Sequence, residues 1–376
     1  MNFELDARHR EIQKQAQAFA KTIEPLAAEA DEMSEIHPGL LSALRNSGLS
    51  KLMVPAQHGG ISETLDPLAI CLVREVLMAT SCQADSLFAM QGIGSYALTI
   101  GGSEEQRNAW LPRVGSAECL PAFALTEPDS GSDLKSVSSE VVADGDGLRL
   151  NGEKSFISNA GAAAYYMVLA RDGDGLSMLL VPADTPGVSV TPTPEIIAPH
   201  VMGEVSFNNV LLDPEARIGQ PGKGLDLVLA TLGVFRVSVA GAAVGLAQAA
   251  LEEAVRHTRT RMQFGKPLNR LGAVAQMLAD CWTEIEMARL ITYRAAYLAS
   301  VDSAASIHYS SMAKLGASEM ATRVTDRCVQ MMGRFGLIRG SKIERLYRQA
   351  RPMRIYEGAS EVLRQSIARK LSEEIE

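Results

Sequence analysis

A chain of 376 residues that is 47% hydrophobic and 21% charged is large enough for more than one hydrophobic core, and its composition excludes wholesale disorder. A net charge of −8 excludes nucleic acid as the expected partner, because phosphate binding needs a clustered cationic surface. From Leu5 to about Pro121 the periodicity is helical, with Ile12, Ala16, Phe19 and Ala20 on one face and a second run over Leu40–Leu52. Breaks fall at His37-Pro38-Gly39, Pro55 and Gly59-Gly60. Leu65–Leu77 and Ser86–Ile100 are more continuously apolar and read as interior helices. The texture changes between about Pro121 and Gly224, where short β-branched runs lie between close turns. Tyr165–Ala170 and Ser177–Val181 read as strands, Glu140–Asp146 and Leu148–Leu150 as a hairpin, and Ile196–Phe207 as a further strand. Helical patterns then resume over Val237–Arg261, Ala273–Ser300, Ala304–Met332 and Ile343–Leu371, the last interrupted at Pro352. The expected architecture is α+β: an N-terminal helical domain (1–120), a central antiparallel β domain (121–224) and a C-terminal helical bundle (225–376).

The amino-terminal residues are charged from position 4 onward and do not resemble a signal peptide. No run of about 18 uninterrupted apolar residues marks a membrane span. Cys71, Cys82, Cys119, Cys281 and Cys328 stand far apart with no CxxC pair, as expected of free thiols in a reducing compartment, so a cytoplasmic location is expected. Gly92-Ile93-Gly94-Ser95-Tyr96-Ala97 fits the loose dinucleotide fingerprint but lacks a preceding strand, and close helix packing explains it better. Gly219, Gly222 and Gly224 lack phosphate-loop spacing and read as a junction loop. The six histidines form no HxxxH or HExxH pair, so no metal is expected, and GxSxG is absent. Redox chemistry on a bound organic cofactor is what these exclusions leave.

Five stretches carry a positive signal: AFALTEPDSGSD (122–133), NGEKSFISNAG (151–161), RTRMQFGKPL (259–268), QMMGRFG (330–336) and RIYEGASEVLRQSIARKL (354–371). In the first, Thr126 and Ser132 supply hydroxyls and the Pro128–Gly131 turn supplies backbone amides; taken alone it would be an ordinary polar turn. Arg261 brings a guanidinium fork suited to a diphosphate, and Phe264 an aromatic face. In this order and at these separations the five stretches resemble the acyl-CoA dehydrogenases, over essentially the whole chain.

That resemblance implies FAD as cofactor and α,β-dehydrogenation of an acyl thioester. It assigns Leu125, Thr126 and Ser132 to flavin contacts, Phe156 to packing on the isoalloxazine and Ser158 to a bond near N5. Arg261 and Phe264 would grip the adenosine and pyrophosphate, with Gln330 and Gly333 supplied by a neighbouring subunit, which implies a homodimer or homotetramer. Two positions depart from the family pattern, Gly272 for a common Gln and Arg334 for a common Gly. Glu357, in Ile-Tyr-Glu-Gly, matches the catalytic glutamate. Burial would raise its basicity toward the operating pH, and Gly358 would allow close backbone approach to substrate. Without the motif, a helix-start acid would be the plainer reading. Some relatives carry the base just before the arginine that matches Arg236; here that position is Phe235, which takes no proton.

Arg236 resembles a substrate-binding arginine, yet Gly233 replaces the usual acid before it, and Ala198–His200 lacks the Arg-Ser dipeptide often presented to CoA phosphates. The substrate expectation is therefore an acyl thioester on CoA or on an acyl carrier protein. No Arg lies in Ser81–Met90, which disfavours a dicarboxylyl substrate. Electrons would pass to an external acceptor such as an electron-transfer flavoprotein. The alternatives are an acyl-thioester oxidase or flavin monooxygenase on the same fold, or a non-catalytic flavin or acyl-carrier binding protein. A retained Glu357 speaks against all three.

Overall fold

The computed structural model describes residues 4–302 and 305–375. Ala304, where a helix was expected to begin, lies outside the described residues, as do 1–3 and 376. In chain order come helices α1 (Ala7–Ala30), α2 (Pro38–Ser47), α3 (Pro67–Met78), α4 (Cys82–Ile93), α5 (Tyr96–Gly101) and α6 (Glu104–Gly115). Strands β1 (Pro121–Ala124), β2 (Glu140–Asp144), β3 (Gly147–Ser158), β4 (Tyr165–Asp172), β5 (Gly175–Pro182), β6 (Val188–Pro192), β7 (Met202–Leu212) and β8 (Arg217–Ile218) follow. The chain then forms α7 (Gly224–Thr260), a small hairpin of β9 (Met262–Gln263) and β10 (Lys266–Pro267), α8 (Gly272–Val301), α9 (Ile307–Met332), α10 (Lys342–Ala350) and α11 (Ser360–Ile375). The class is α+β, with helices, then a β-sheet, then helices.

By compactness the chain divides into two units, each drawn from more than one stretch of sequence. One comprises residues 1–32, 67–85 and 233–376; the other comprises 33–66 and 86–232. The expected boundaries near 120 and 224 follow changes in sequence texture, whereas the compact grouping joins α1 and α3 to the carboxy-terminal helices.

In the first unit Ile12, Ala16, Phe19 and Ala20 of α1 are buried, as their spacing predicts. The small residues of α7 serve close approach to α3. A Cβ on Gly245 would stand 1.8 Å from the Glu75 carbonyl oxygen, and one on Gly241 would stand 2.8 Å from that of Cys71. Helix α7 is long and apolar enough to cross a membrane, but most of its apolar stretch is buried inside the protein. Asp31 closes α1: its carboxylate accepts from Ser81 Oγ at 2.7 Å and from the Gln83 N–H at 3.1 Å.

The second unit is built on one sheet of order β6-β7-β3-β2-β4-β5-β8, with β1 also paired to β4. The β2–β3 hairpin has the expected register, Asp144 facing Gly147. The sheet is mostly antiparallel, but β1 and β2 both pair with β4 in parallel. The strand expected from Ile196 begins only at Met202. Residues 196–201 are irregular because Pro199 interrupts the apolar run, having no N–H for a ladder. The run Leu40–Leu52 likewise splits at Gly48, whose φ of 68° ends α2 before a short 3-10 turn. The GxGxxA segment is a helix junction: a Cβ on Gly94 would stand 2.7 Å from the Pro121 side chain.

Candidate active site

Among the described residues, six non-glycine residues adopt positive φ, and three of them are Phe156, Phe264 and Glu357. Such backbone costs energy for a side chain with a Cβ and persists only where its surroundings enforce it. Each of the three lies in a different sequence motif, so each can be built up from its own neighbours.

In the first unit, the chain leaves a 3-10 turn at Pro352–Arg354 and bends left-handed at Glu357 (φ 52°) and Gly358 (φ 110°) before α11 starts. Two cations hold the bend through its carbonyls. Arg236 Nε donates to the Glu357 oxygen at 2.9 Å, and Lys314 Nζ donates to the Gly358 oxygen at 2.7 Å. A Cβ at position 358 would stand a tight 3.0 Å from Leu363 and 3.2 Å from Arg236, and the φ of 110° itself favours glycine. Glu357 Oε2 is buried and accepts no hydrogen bond. Burial pushes this carboxyl up to about 7, against the pull of Arg74, Lys314 and Arg236. Burial also brings Lys314 down to about 8, although Glu357 opposes it. A carboxyl titrating near neutrality with one oxygen unclaimed has the properties that proton abstraction asks for. Phe235 is buried and apolar and cannot take a proton.

Sequence reasoning missed Arg74, Asp85 and Lys314. Arg74 donates from Nε and Nη2 to the two oxygens of Asp85, at 3.0 and 2.7 Å, and from Nη1 to Ser238 Oγ at 2.9 Å. The available signal was an arginine inside the apolar helix Pro67–Met78, since a buried guanidinium must bring its counter-ion with it.

In the second unit, Leu125 and Thr126 follow β1 and are half-buried, while Ser132 is exposed. A buried ion pair fixes the strands beneath them. Lys154 Nζ donates to the Leu125 carbonyl at 3.0 Å and to Glu127 at 2.8 Å. Glu127 also accepts from the backbone N–H groups of Ser138 and Ser139. Burial alone would raise the Glu127 carboxyl, but these partners hold it down to about 2. Beyond Lys154 the β3–β7 register slips, and Phe156 turns outward at φ 56°, 53% exposed. Phe156 is therefore not a core residue. Ser158 Oγ lies 2.9 Å from His200 Nε2, with Ser86 Oγ at 3.4 Å from the same nitrogen. Burial pushes the His200 imidazole down to about 4, so the ring is neutral near pH 7. In sequence His200 stands 42 residues from Ser158, so no local motif joins the two.

The remaining candidates lie in the first unit. Phe264 and Gly265, both at positive φ, form the two-residue turn of the β9–β10 hairpin, and Phe264 is 87% exposed. Arg261, just before that hairpin, holds its guanidinium 5.6 Å from the Phe335 ring, and Arg334 stands 5.1 Å from the same ring. Gln330 is exposed near the end of α9, where the Gly333 N–H donates to its carbonyl. Phe335 thus brings Arg261 close to the segment after Gln330 and Gly333. Gly272 opens α8 in free space.

The sequence matches three domains in succession: the acyl-CoA dehydrogenase N-terminal domain over residues 6–118, the middle domain over 122–210 and the C-terminal domain over 222–372. The human mitochondrial short-chain specific acyl-CoA dehydrogenase is 34% identical over 377 residues, spanning 97% of this chain and 90% of its own. The solved butyryl-CoA dehydrogenase of Megasphaera elsdenii is 29% identical with a TM-score of 0.94, covering 99% of this chain and 100% of that one. The glutaryl-CoA dehydrogenase of Mycobacterium smegmatis, solved in complex with FADH2, is 27% identical with a TM-score of 0.91, covering 98% and 95%. Sequence and fold agree along the full length, and the chain belongs to the acyl-CoA dehydrogenase family.

Proposed function

We propose that Glu357 is the base of an FAD-dependent α,β-dehydrogenation of an acyl thioester. The observation that carries this reading is the unpaired, buried Oε2 on a left-handed bend clamped through its carbonyls by Arg236 and Lys314. Glu357 takes the α-proton, the β-carbon loses a hydride, and a carbon–carbon double bond forms between them. The acceptor for that hydride would be supplied by FAD when bound. The Glu357 N–H polarises the thioester oxygen as enolate character develops. Arg236 and Gly358 keep the bend in place for the substrate.

The residues fit an FAD. Phe156 and Phe264 present aromatic faces away from any core, each on backbone of positive φ. Leu125, Thr126, Ser132, Phe156 and Ser158 are assigned to the flavin, and Arg261 and Phe264 to the adenosine diphosphate portion. Gln330 and Gly333 are assigned to the FAD of a neighbouring copy, so the working unit is a homodimer or homotetramer. Functional domains at 1–120, 121–224 and 225–376 follow from the same assignments. Electrons leave to a separate acceptor such as an electron-transfer flavoprotein. Five free cysteines fit a cytoplasmic enzyme.

Acyl-CoA is the first substrate reading. A specific observation favours a second, an acyl carrier protein thioester: Ala198 is buried and His200 is neutral, so neither offers a cation to a CoA phosphate. One experiment addresses both base and carrier. Flavin reduction is followed by anaerobic stopped-flow for the wild type and Glu357→Gln, with matched CoA and carrier-protein thioesters. The Gln variant keeps its FAD and loses about 10²–10⁴ in rate with either carrier. A variant that reduces flavin at the wild-type rate removes Glu357 from the mechanism. The wild-type rate falls as pH drops through about 7, because protonated Glu357 takes no proton.

A further inference from the structure

We infer that the buried Arg74–Asp85 ion pair is a positioning element that sets the proton affinity of Glu357. This inference rests on Glu357 being the base. The geometry comes first. Both side chains are 4% exposed, both carboxylate oxygens of Asp85 are engaged by Arg74, and all three guanidinium nitrogens of Arg74 have acceptors. The third acceptor, Ser238, stands on α7 two residues beyond Arg236, whose Nε holds the Glu357 carbonyl. One turn of α7 therefore fastens both the ion pair and the catalytic bend. An arginine bonded in this way is not available to bind a carboxylate on the substrate, so it is no substitute for the cation absent from Ser81–Met90.

The pair is neutral as a whole but not neutral from where Glu357 stands. Charges face that carboxyl from four elements: Arg74 on α3, Asp85 on α4, Arg236 on α7 and Lys314 on α9. The phenol of Tyr356 adjoins it on its own segment. Of these charges Arg74 draws the carboxyl down most strongly, while Asp85 alone raises it and has the smallest effect. The pair thus acts as a dipole with its positive end toward the base. Burial pulls the Arg74 guanidinium down, but Asp85 outweighs it and keeps Arg74 above its ordinary value, so the positive end persists at every working pH. Its function is to offset part of the desolvation that would otherwise leave Glu357 protonated at neutral pH.

The consequence has a sign. Asp85→Asn keeps a hydrogen-bonding partner for Arg74 but removes the negative end, so Glu357 titrates lower, by about one pH unit. The double substitution Arg74→Met with Asp85→Leu removes the whole dipole without orphaning a charge, so Glu357 titrates higher, again by about one unit. The titration is read directly on the purified holoenzyme from the protonated-carboxyl band in infrared difference spectra, with Glu357→Gln identifying the band. The acid limb of the pH profile for flavin reduction by a straight-chain acyl-CoA is the second readout. Opposite shifts in the two variants support the inference, since a merely structural role moves neither midpoint in a charge-dependent direction. Shifts of the same sign, or unmoved midpoints in both, overturn it. Midpoints that move oppositely in the infrared while the rate profile stays fixed uphold the ion pair's role and refute Glu357 as the base.

Discussion

The Glu357 bend and the Phe156 bulge solve the same backbone problem in opposite ways. Each holds a non-glycine residue at positive φ, 52° in one and 56° in the other. At Glu357 the enforcing groups bind the bend itself, through Arg236 and Lys314 on its two carbonyls. At Phe156 the support lies one step back: the Glu127–Lys154 pair anchors the strand, the register slips beyond it, and the ring is left in the open. The cations grip the backbone on both sides of the Glu357 side chain and leave a carboxylate oxygen buried and unclaimed. The exposed Phe156 ring is left with a rigid base below and free space above.

The comparison breaks first at the remote anchor. Lys154→Met leaves Glu127 buried without its cation and is expected to cost about 3–5 kcal/mol, read as a lower midpoint in urea unfolding. The sign with pH follows from the depressed Glu127 carboxyl. Its contribution is present above the ordinary value of 4.5 and is lost as pH falls toward about 2, so the wild type and the variant converge in acid. The bend responds differently. Gly358→Ala meets both a φ of 110° and the Leu363 and Arg236 contacts, at a cost of about 1–3 kcal/mol. Here the main loss is in the rate of flavin reduction, with FAD content retained, measured by stopped-flow and by absorbance. The smallest effect belongs to His200. His200→Ala frees the Ser158 hydroxyl and changes the flavin reduction rate by only about threefold, since a single hydrogen-bond partner of a neutral group is lost. Because the imidazole titrates near 4, His200 adds no inflection to the rate profile between pH 5 and 9 in the wild type or the variant.

What was legible in the sequence was what short stretches carry. Glu357, Phe156 and Phe264 each sit inside a contiguous motif, and helix faces such as Ile12–Phe19 announce themselves by spacing. The β2–β3 hairpin was legible because its turn is local. Arg74 was not, because its partners lie 11 and 164 residues away and nothing near it names them. His200 was hidden in the same way, and the false start at Ile196 arose because apolar residues in a coil look like a strand until Pro199 is weighed. Charges that meet only in the folded protein leave no period to count.

The glycines facing α3 acquire a further meaning beside Arg74. With Gly245 against the Glu75 carbonyl and Gly241 against that of Cys71, the two helix backbones touch at points on either side of Arg74. The spacing between α3 and α7 is thereby a hard stop rather than an adjustable cushion of side chains. That stop works as a gauge block. It fixes how far the guanidinium reaches across to Ser238, and hence the depth at which a positive charge is presented to the Glu357 carboxyl. A single methyl group added at Gly245 would reset that depth.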